Sequence, residues 1–392
     1  MLALLAAFGP FCTDLYLPAV PTITRQLQTD AAALLLTLTT SFLGLALGQL
    51  LIGPISDAFG RKRPLYVSLI VFALSSGACA LAPNISALIG ARFFQGLAGA
   101  GGIVLSRAIA CDLFQGARLT QFMSLLMTIN SLAPILGPIF GSFITTYFNW
   151  SALFWFLALW GALLYLAAFK AIPETLPSAQ RSPRIRAALW ELLRECHNPP
   201  FICMALALSI ISGAFFGYLA ASPFIFQVIF GLSALQYSIV FAVSAVCITL
   251  GANAAAWLAQ RVPERKIAMV ALWVQLLAPL GLALEIWLSW HSFLVAGSFA
   301  LFLALNGMVQ STGFTEVMAV RRGGAGAATG LFGVLNFFFG ALTAPLVGLL
   351  GESSLFPIML VMLGGSILAL ILFPLGLKLR SRAQSGAQPE RA

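Results

Sequence analysis

Two residues carry charge where this sequence is otherwise apolar. Asp14 lies in Cys12-Thr13-Asp14-Leu15-Tyr16-Leu17-Pro18 and is the only acidic residue in the first 29 positions. Arg92 opens Arg92-Phe93-Phe94-Gln95-Gly96 within a second hydrophobic stretch. A charge inside hydrocarbon is costly and by default marks a working site. A carboxylate there can take up and release a proton, with a pKa set by a nearby cation and by changing hydration. The bland alternative is a static Asp14–Arg92 ion pair fastening two helices, although burial offsets much of what such a pair gains.

Other chemistries find little support. Gly96-Leu-Ala-Gly99-Ala-Gly101-Gly102 has the wrong spacing for a dinucleotide loop and reads as helix packing. There is no Walker loop and no C-x-x-C pair among the six cysteines, and His197 and His291 are isolated. No metal and no cofactor is expected. The net charge of +9 is not arranged as a basic stripe interleaved with aromatics, so no nucleic acid is expected either.

The elements that position Asp14 and Arg92 follow from composition. Hydrophobic residues make up 60% of the 392 and charged residues 8%, with a mean hydropathy of +0.98. A soluble domain would carry about 25% charged residues. A helix needs roughly 20 apolar residues to cross a bilayer. Twelve such stretches are predicted, at about 2–21, 34–55, 64–83, 86–110, 121–146, 150–171, 200–227, 233–258, 267–289, 292–317, 325–350 and 355–378. No basic n-region precedes the first, which is therefore expected to remain in the mature protein.

Lysine and arginine give the orientation. With a cytoplasmic N-terminus, 18 of the 21 basic residues fall in cytoplasmic loops or the tail; Arg25 falls outside, and Arg92 and Arg107 lie within span 4. The Pro-rich polar stretch around 173–199 divides the chain. The expected domains are a six-helix bundle at 1–172, a linker at 173–199, a second six-helix bundle at 200–378 and a polar tail at 379–392. Residues 185–197 are expected to form an amphipathic helix on the membrane surface. A shift of 203 carries Gly48 to Gly251, Lys62-Arg63 to Arg265-Lys266 and Gly137 to Gly340, which suggests a repeat of six spans.

At 1.5 Å per residue, Asp14 comes out roughly 10 Å and Arg92 about 9 Å below the outer surface. The other intraspan charges, Arg107, Glu285 and Glu316, come out near the interfaces. The matching depth makes Arg92 the expected counterpart of Asp14. Tyr16, Gln95, Asn130, Tyr218 and Asn306 are candidate lining residues of a substrate cavity.

Three motifs sit on these spans. Gly48-Gln-Leu-Leu-Ile-Gly53-Pro54-Ile-Ser-Asp57-Ala-Phe-Gly60-Arg61-Lys62-Arg63, at the turn between spans 2 and 3, resembles the signature loop of the major facilitator superfamily. Ala58 stands where that loop usually has a basic residue. Arg92-Phe-Phe-Gln95-Gly96 resembles the superfamily's R-x-x-Q-G motif. Ala133-Pro134-Ile-Leu-Gly137-Pro138-Ile-Phe-Gly141-Ser142 is similar to its antiporter motif, with two glycines replaced. The opening Thr-Asp-Leu-Tyr-Leu-Pro-Ala-Val-Pro, with Glu174-Thr175-Leu176-Pro177 and Ser222-Pro223-Phe224, narrows the resemblance to the bicyclomycin-resistance (Bcr/CflA) drug efflux family.

That resemblance implies an all-α membrane protein of twelve transmembrane helices in two pseudo-symmetric six-helix halves. It implies proton-coupled drug export across the bacterial inner membrane, with Asp14 and Arg92 in proton coupling. It implies a cytoplasmic gate around Gly53, Asp57, Gly60, Arg61, Lys62, Arg107 and Asp112, and an antiporter bend at Pro134, Gly137, Pro138 and Gly141. The expected partners are a small-molecule drug, protons and the lipid bilayer, and the expected state is a monomer. The alternatives are a transporter of amino acids or nucleosides on the same scaffold and, from another class, a lipid enzyme. The enzyme would need clustered His/Asp or Ser/His groups, which the sequence lacks.

Overall fold

The computed structural model describes residues 1–114, 116–177, 181, 185–288, 292–348 and 354–385. Among them, all regular structure is helical. The first hydrophobic stretch is broken into α1 (Leu2–Ala6), α2 (Phe8–Tyr16), a 3-10 turn (Leu17–Ala19) and α3 (Val20–Gln26). The prolines explain the breaks. Pro10 has no N–H to reach the carbonyl four residues back, and α1 stops there, at Ala6. Pro18 and Pro21 then enforce the 3-10 turn just beyond Asp14.

Long helices follow: α4 (Ala31–Phe59), α5 (Lys62–Ala80), α6 (Ile85–Leu113), α7 (Gly116–Tyr147) and α8 (Ser151–Ala171). Asp30 and Asn84 start α4 and α6 by accepting the N–H of Ala33 at 2.7 Å and of Ala87 at 2.9 Å, which satisfies otherwise orphaned donors. The short α9 (Ile185–Cys196) leads to α10 (Pro199–Pro223), which ends in a π turn (Phe224–Ile229). Next come α11 (Ala234–Leu258), α12 (Glu264–Gln275), α13 (Leu277–Leu288), α14 (Ser292–Ala319), α15 (Ala325–Gly348) and α16 (Phe356–Ser385). The break between α12 and α13 repeats the logic of α1, since Gln275 lies four residues before Pro279. The last helix runs further than expected, past residue 378 to Ser385.

Ten helical segments among the described residues are long and apolar enough to cross a membrane, with a shorter apolar stretch at Leu132–Tyr147. The chain forms two compact units. Unit 1 comprises Met1–Ile185, Leu219–Ala245 and Ala341–Ser354; unit 2 comprises Arg186–Tyr218, Val246–Gly340 and Leu355–Ala392.

In unit 1, α4 packs on α6, α5 on α6 and α8, and α2 on α7. The α4–α6 contact is backbone on backbone: a side chain at Gly48 would strike the Leu97 carbonyl, and one at Gly96 the Ser41 carbonyl. Unit 2 repeats it, with Gly251 of α11 against the Ala304 carbonyl of α14 and Gly307 against that of Ile248. The 203-residue repeat that aligns Gly48 with Gly251 is therefore a repeat in packing. The core of unit 2 is built from Phe201, Met204, Leu208, Leu272, Val309 and Phe373, with α9 contributing Leu192.

Candidate functional site

Asp14 sits on the last turn of α2 and is 4% exposed. Its Cβ lies against Gly137 of α7, and the Leu15 backbone lies against Gly141. Any side chain at those glycines would meet Asp14 Cβ or the Leu15 carbonyl, so this part of the predicted antiporter motif exists to let α2 and α7 touch. Pro134 and Pro138 lie inside α7 without ending it. The Asp14 carboxylate has no hydrogen bond and no ion pair among the described residues.

Arg92 is wholly buried on α6. Its Nη1 donates to Gln95 Oε1 at 2.7 Å and to Cys12 Sγ at 3.4 Å. Its guanidinium lies 4.7 Å from the Tyr16 ring centroid and 6.0 Å from that of Phe154, a cation–π arrangement. Gln95 Nε2 donates to Ser76 Oγ at 2.8 Å. The Tyr16 hydroxyl lies 3.0 Å from Thr37 Oγ1. Thr37 donates its own proton to the Leu34 carbonyl at 2.7 Å, so Tyr16 is the donor in that pair. Arg92 Nε and Nη2 are buried without hydrogen-bond partners among the described residues.

The expected pairing of Asp14 with Arg92 is therefore not formed. Arg92 lies beside Cys12 and Tyr16, which flank Asp14 in sequence, so the two charges do share a level. They do not share a face. Cys12 and Tyr16 are four residues apart and project together, whereas Asp14 is turned about 200° from Cys12 around the helix. One face of α2 meets α6 and the other meets α7.

A second cluster lies where the α4–α5 turn meets the end of α6. Gly60, with φ of +89°, makes the tight turn between α4 and α5. Arg61 then reaches Asp112 Oδ2 with Nε at 3.0 Å, and Ser56 Oγ at 2.7 Å and Asp57 Oδ1 at 2.5 Å with Nη1. This is the Asp57–Arg61–Asp112 network that the family resemblance implies. Burial alone would lower the pKa of Arg61, but the hydrogen bonds it donates to Asp112 and Asp57 outweigh it and raise the pKa.

Glu174 is the member that sequence reasoning missed. Its carboxylate accepts the backbone N–H of Arg61 at 2.8 Å, of Lys62 at 3.3 Å and of Leu176 at 3.1 Å. It also faces Arg181 at 3.8 Å, and a side chain on Gly60 would collide with it. Burial pushes its pKa up, but the backbone donors and Arg181 more than reverse this, leaving the carboxyl below its ordinary value. Thr175 adds a 2.9 Å hydrogen bond to Asp112. The available signal was Glu174-Thr175 directly after a span, at the end where the basic turns lie.

The Lys62 side chain does not join the cage; its Nζ lies 5.6 Å from the Tyr66 ring centroid and 5.8 Å from that of Phe169. Arg107 is half-buried and has no partner among the described residues. Gly53 has nothing closer than Val104 at 4.0 Å, so packing does not demand a glycine there. Tyr218 and Asn306 belong to unit 2: Tyr218 packs on Phe299 with centroids 4.9 Å apart, and Asn306 Oδ1 is buried without a hydrogen-bond partner among the described residues. The side chain of Asn130 and all of His291 lie outside the described residues.

A buried carboxylate with no partner among the described residues thus lies between α2 and α7, a buried guanidinium lies on the other face of α2, and an ion-pair cage forms at the α4–α5 turn. The family model described as Major Facilitator Superfamily matches residues 2–345. The chain is 35% identical over 352 residues to the MFS-type transporter YdgK of Bacillus subtilis, covering 89% of this chain and 88% of that protein. It is 29% identical to a bicyclomycin resistance protein homolog of Haemophilus influenzae, covering 92% and 91%. It is 28% identical to multidrug resistance protein D of Escherichia coli, covering 98% and 97%. Among solved structures, an inward-facing bacterial homolog of the human lysosomal transporter Spinster matches with a TM-score of 0.71 at 15% identity, covering 100% and 98%. At that identity the likeness speaks for the fold.

Proposed function

This chain belongs to the Major Facilitator Superfamily, and on that premise we propose that it exports small amphipathic or hydrophobic drugs across the bacterial inner membrane in exchange for protons. The observation that carries the proposal is Asp14, a buried carboxylate with no hydrogen bond or ion pair among the described residues. With no described partner holding its charge, its protonation follows the water, proton or substrate that reaches it. The kinship with proteins named for bicyclomycin and multidrug resistance supports a drug as that substrate.

In the proposed cycle, Asp14 takes a proton from the outer side, becomes neutral and loses its hold on a bound drug, which leaves outward. After the inward-facing state forms, it returns the proton to the cytoplasm as a carboxylate. Coupling requires only that the two states differ in affinity for proton and drug. Each proton moved down the field contributes about 2.3 kcal/mol per 100 mV. Arg92 acts as a positioning residue: its contacts to Cys12 and Tyr16 hold α2 against α6 and leave Asp14 facing α7. Tyr16, Gln95, Asn130, Tyr218 and Asn306 are the proposed polar positions of the substrate path, and the Asp57–Arg61–Asp112 cage serves as the cytoplasmic gate.

The basic residues favour cytoplasmic termini, with two six-span halves joined by the 173–199 linker. The protein is proposed to work as a monomer and without a cofactor. The test is drug efflux from everted membrane vesicles with an imposed proton gradient. Asp14→Asn is expected to bind drug yet lose proton-driven efflux. Full proton-driven efflux in that variant would remove the assignment. A metabolite is the second reading, favoured by the two donors of Arg92 that have no hydrogen-bond partner among the described residues, which suit a carboxylate such as an amino acid carries. Counterflow with labelled amino acids against labelled drug separates the two.

A further inference from the structure

The ion-pair cage of unit 1 has a counterpart in unit 2 with its charges reversed. The 203-residue shift carries Lys62 to Arg265, Arg63 to Lys266 and Glu174 to Leu377. In unit 1, three carboxylates (Asp57, Asp112 and Glu174) converge on Arg61 and its backbone N–H. In unit 2, the corresponding turn before α12 and the ends of α14 and α16 bring together one carboxylate, Glu316, and two guanidiniums, Arg265 and Arg380.

Glu316 is already taken, bound by Arg380 Nη1. Arg265 is exposed and has no side-chain partner among the described residues. Where unit 1 is filled by the Glu174 carboxylate, unit 2 has apolar Leu377 and an open cleft of about 250 Å³. Its walls are Pro263, Arg265, Glu316, Leu377, Arg380 and Ser381. The same shift carries Arg61 to Glu264, so unit 2 keeps a cleft beside this turn but not the Glu174 carboxylate that fills the place in unit 1.

We propose that this cleft binds a phosphate-bearing anion, either the headgroup of an anionic phospholipid or free phosphate. With Arg380 neutralised by Glu316, Arg265 leaves one net positive charge, which matches a phosphodiester monoanion. Guanidinium forks suit phosphate oxygens geometrically as well as electrostatically. Basic pockets between helix ends are a recurring form of headgroup site.

The experiment titrates delipidated full-length protein with short-chain phosphatidylglycerol, short-chain phosphatidylcholine or inorganic phosphate, reading the midpoint of thermal unfolding. Phosphatidylglycerol is expected to raise the midpoint saturably and phosphatidylcholine not to. Arg265→Gln, at an exposed position, is expected to weaken the response at least tenfold, whereas Arg25→Gln in unit 1 leaves it intact. Leu377→Glu, which restores the carboxylate of unit 1, is expected to abolish it by filling the cleft from within. A matching response to inorganic phosphate identifies the free anion as the ligand; a response to phosphatidylglycerol alone identifies the headgroup. Equal stabilisation by both lipids, or a wild-type response in Arg265→Gln, overturns the proposal, and the latter decides it even if Leu377→Glu fails to fold.

Discussion

The guanidinium of Arg92 rests over the ring of Tyr16 at 4.7 Å, while its Nη1 donates to Gln95 at 2.7 Å. A flat, forked cation can do both at once, and an ammonium cannot. Arg92→Lys is therefore expected to loosen α2 from α6 and to lower both the unfolding midpoint and proton-driven efflux. Tyr16→Phe keeps the ring and removes only the hydrogen bond to Thr37, about 1 kcal/mol. Thermal unfolding of the two variants in parallel checks the order: the lysine variant should be the weaker.

Gly137 and Gly53 offer a matched pair. An alanine methyl at Gly137 meets Asp14 Cβ, so Gly137→Ala should push α2 from α7 and destabilise by about 1–3 kcal/mol, as overpacking does. Gly53→Ala has its nearest neighbour at 4.0 Å and should be neutral in the same assay. Efflux should fall only in the Gly137 variant. Equal behaviour of the two would refute the close α2–α7 contact.

Glu174 gives a pH dependence of known sign. Its folded pKa lies below the unfolded value, so its contribution to stability is complete above the unfolded pKa. That contribution disappears as pH falls from the unfolded value, about 4.3 for glutamate, through the depressed folded one. Unfolding midpoints of the wild type should drop across this acid window, and Glu174→Gln should show a flatter profile there. An unchanged acid limb in the variant would show that the carboxylate does not cap the α4–α5 turn.

Arg61 spans Asp112 through Nε and Asp57 with Ser56 through Nη1. Lysine has one nitrogen at the end of its chain and cannot reach both sides. Arg61→Lys should transport slowly despite its conserved charge, with the loss measured as initial efflux rate at matched expression. A wild-type rate would mean that charge alone is enough at this position.

Unit 2 has its own carboxylate anchor. Glu195, wholly buried at the end of α9, accepts the backbone N–H groups of Arg322 and Gly323 and the Asn198 amide at 3.1 Å. Glu195→Ala leaves those donors without an acceptor, and an orphaned buried group costs about 1–3 kcal/mol. The unfolding midpoint should fall while proton coupling in the remaining folded protein persists.

Much of this was legible in the chain itself. The class followed from charge scarcity, because apolar runs of membrane-spanning length have few other uses. The level of Asp14 and Arg92 could be computed because a helix rises by a fixed amount per residue. The Asp57–Arg61–Asp112 cage was implied by the family resemblance.

What the tertiary structure alone decided was direction. Rise along a helix is constant, but which face meets which neighbour depends on how helices pack, and α2 meets α6 with one side and α7 with the other. Asp14 thus faces the Gly137 groove, and Arg92 takes Tyr16, Gln95 and Cys12 as its partners. The same reason hid Glu174: a carboxylate 113 residues from the backbone it caps is joined to it only when α8 packs beside α5. Composition and rise are properties of the chain; pairing is a property of packed faces.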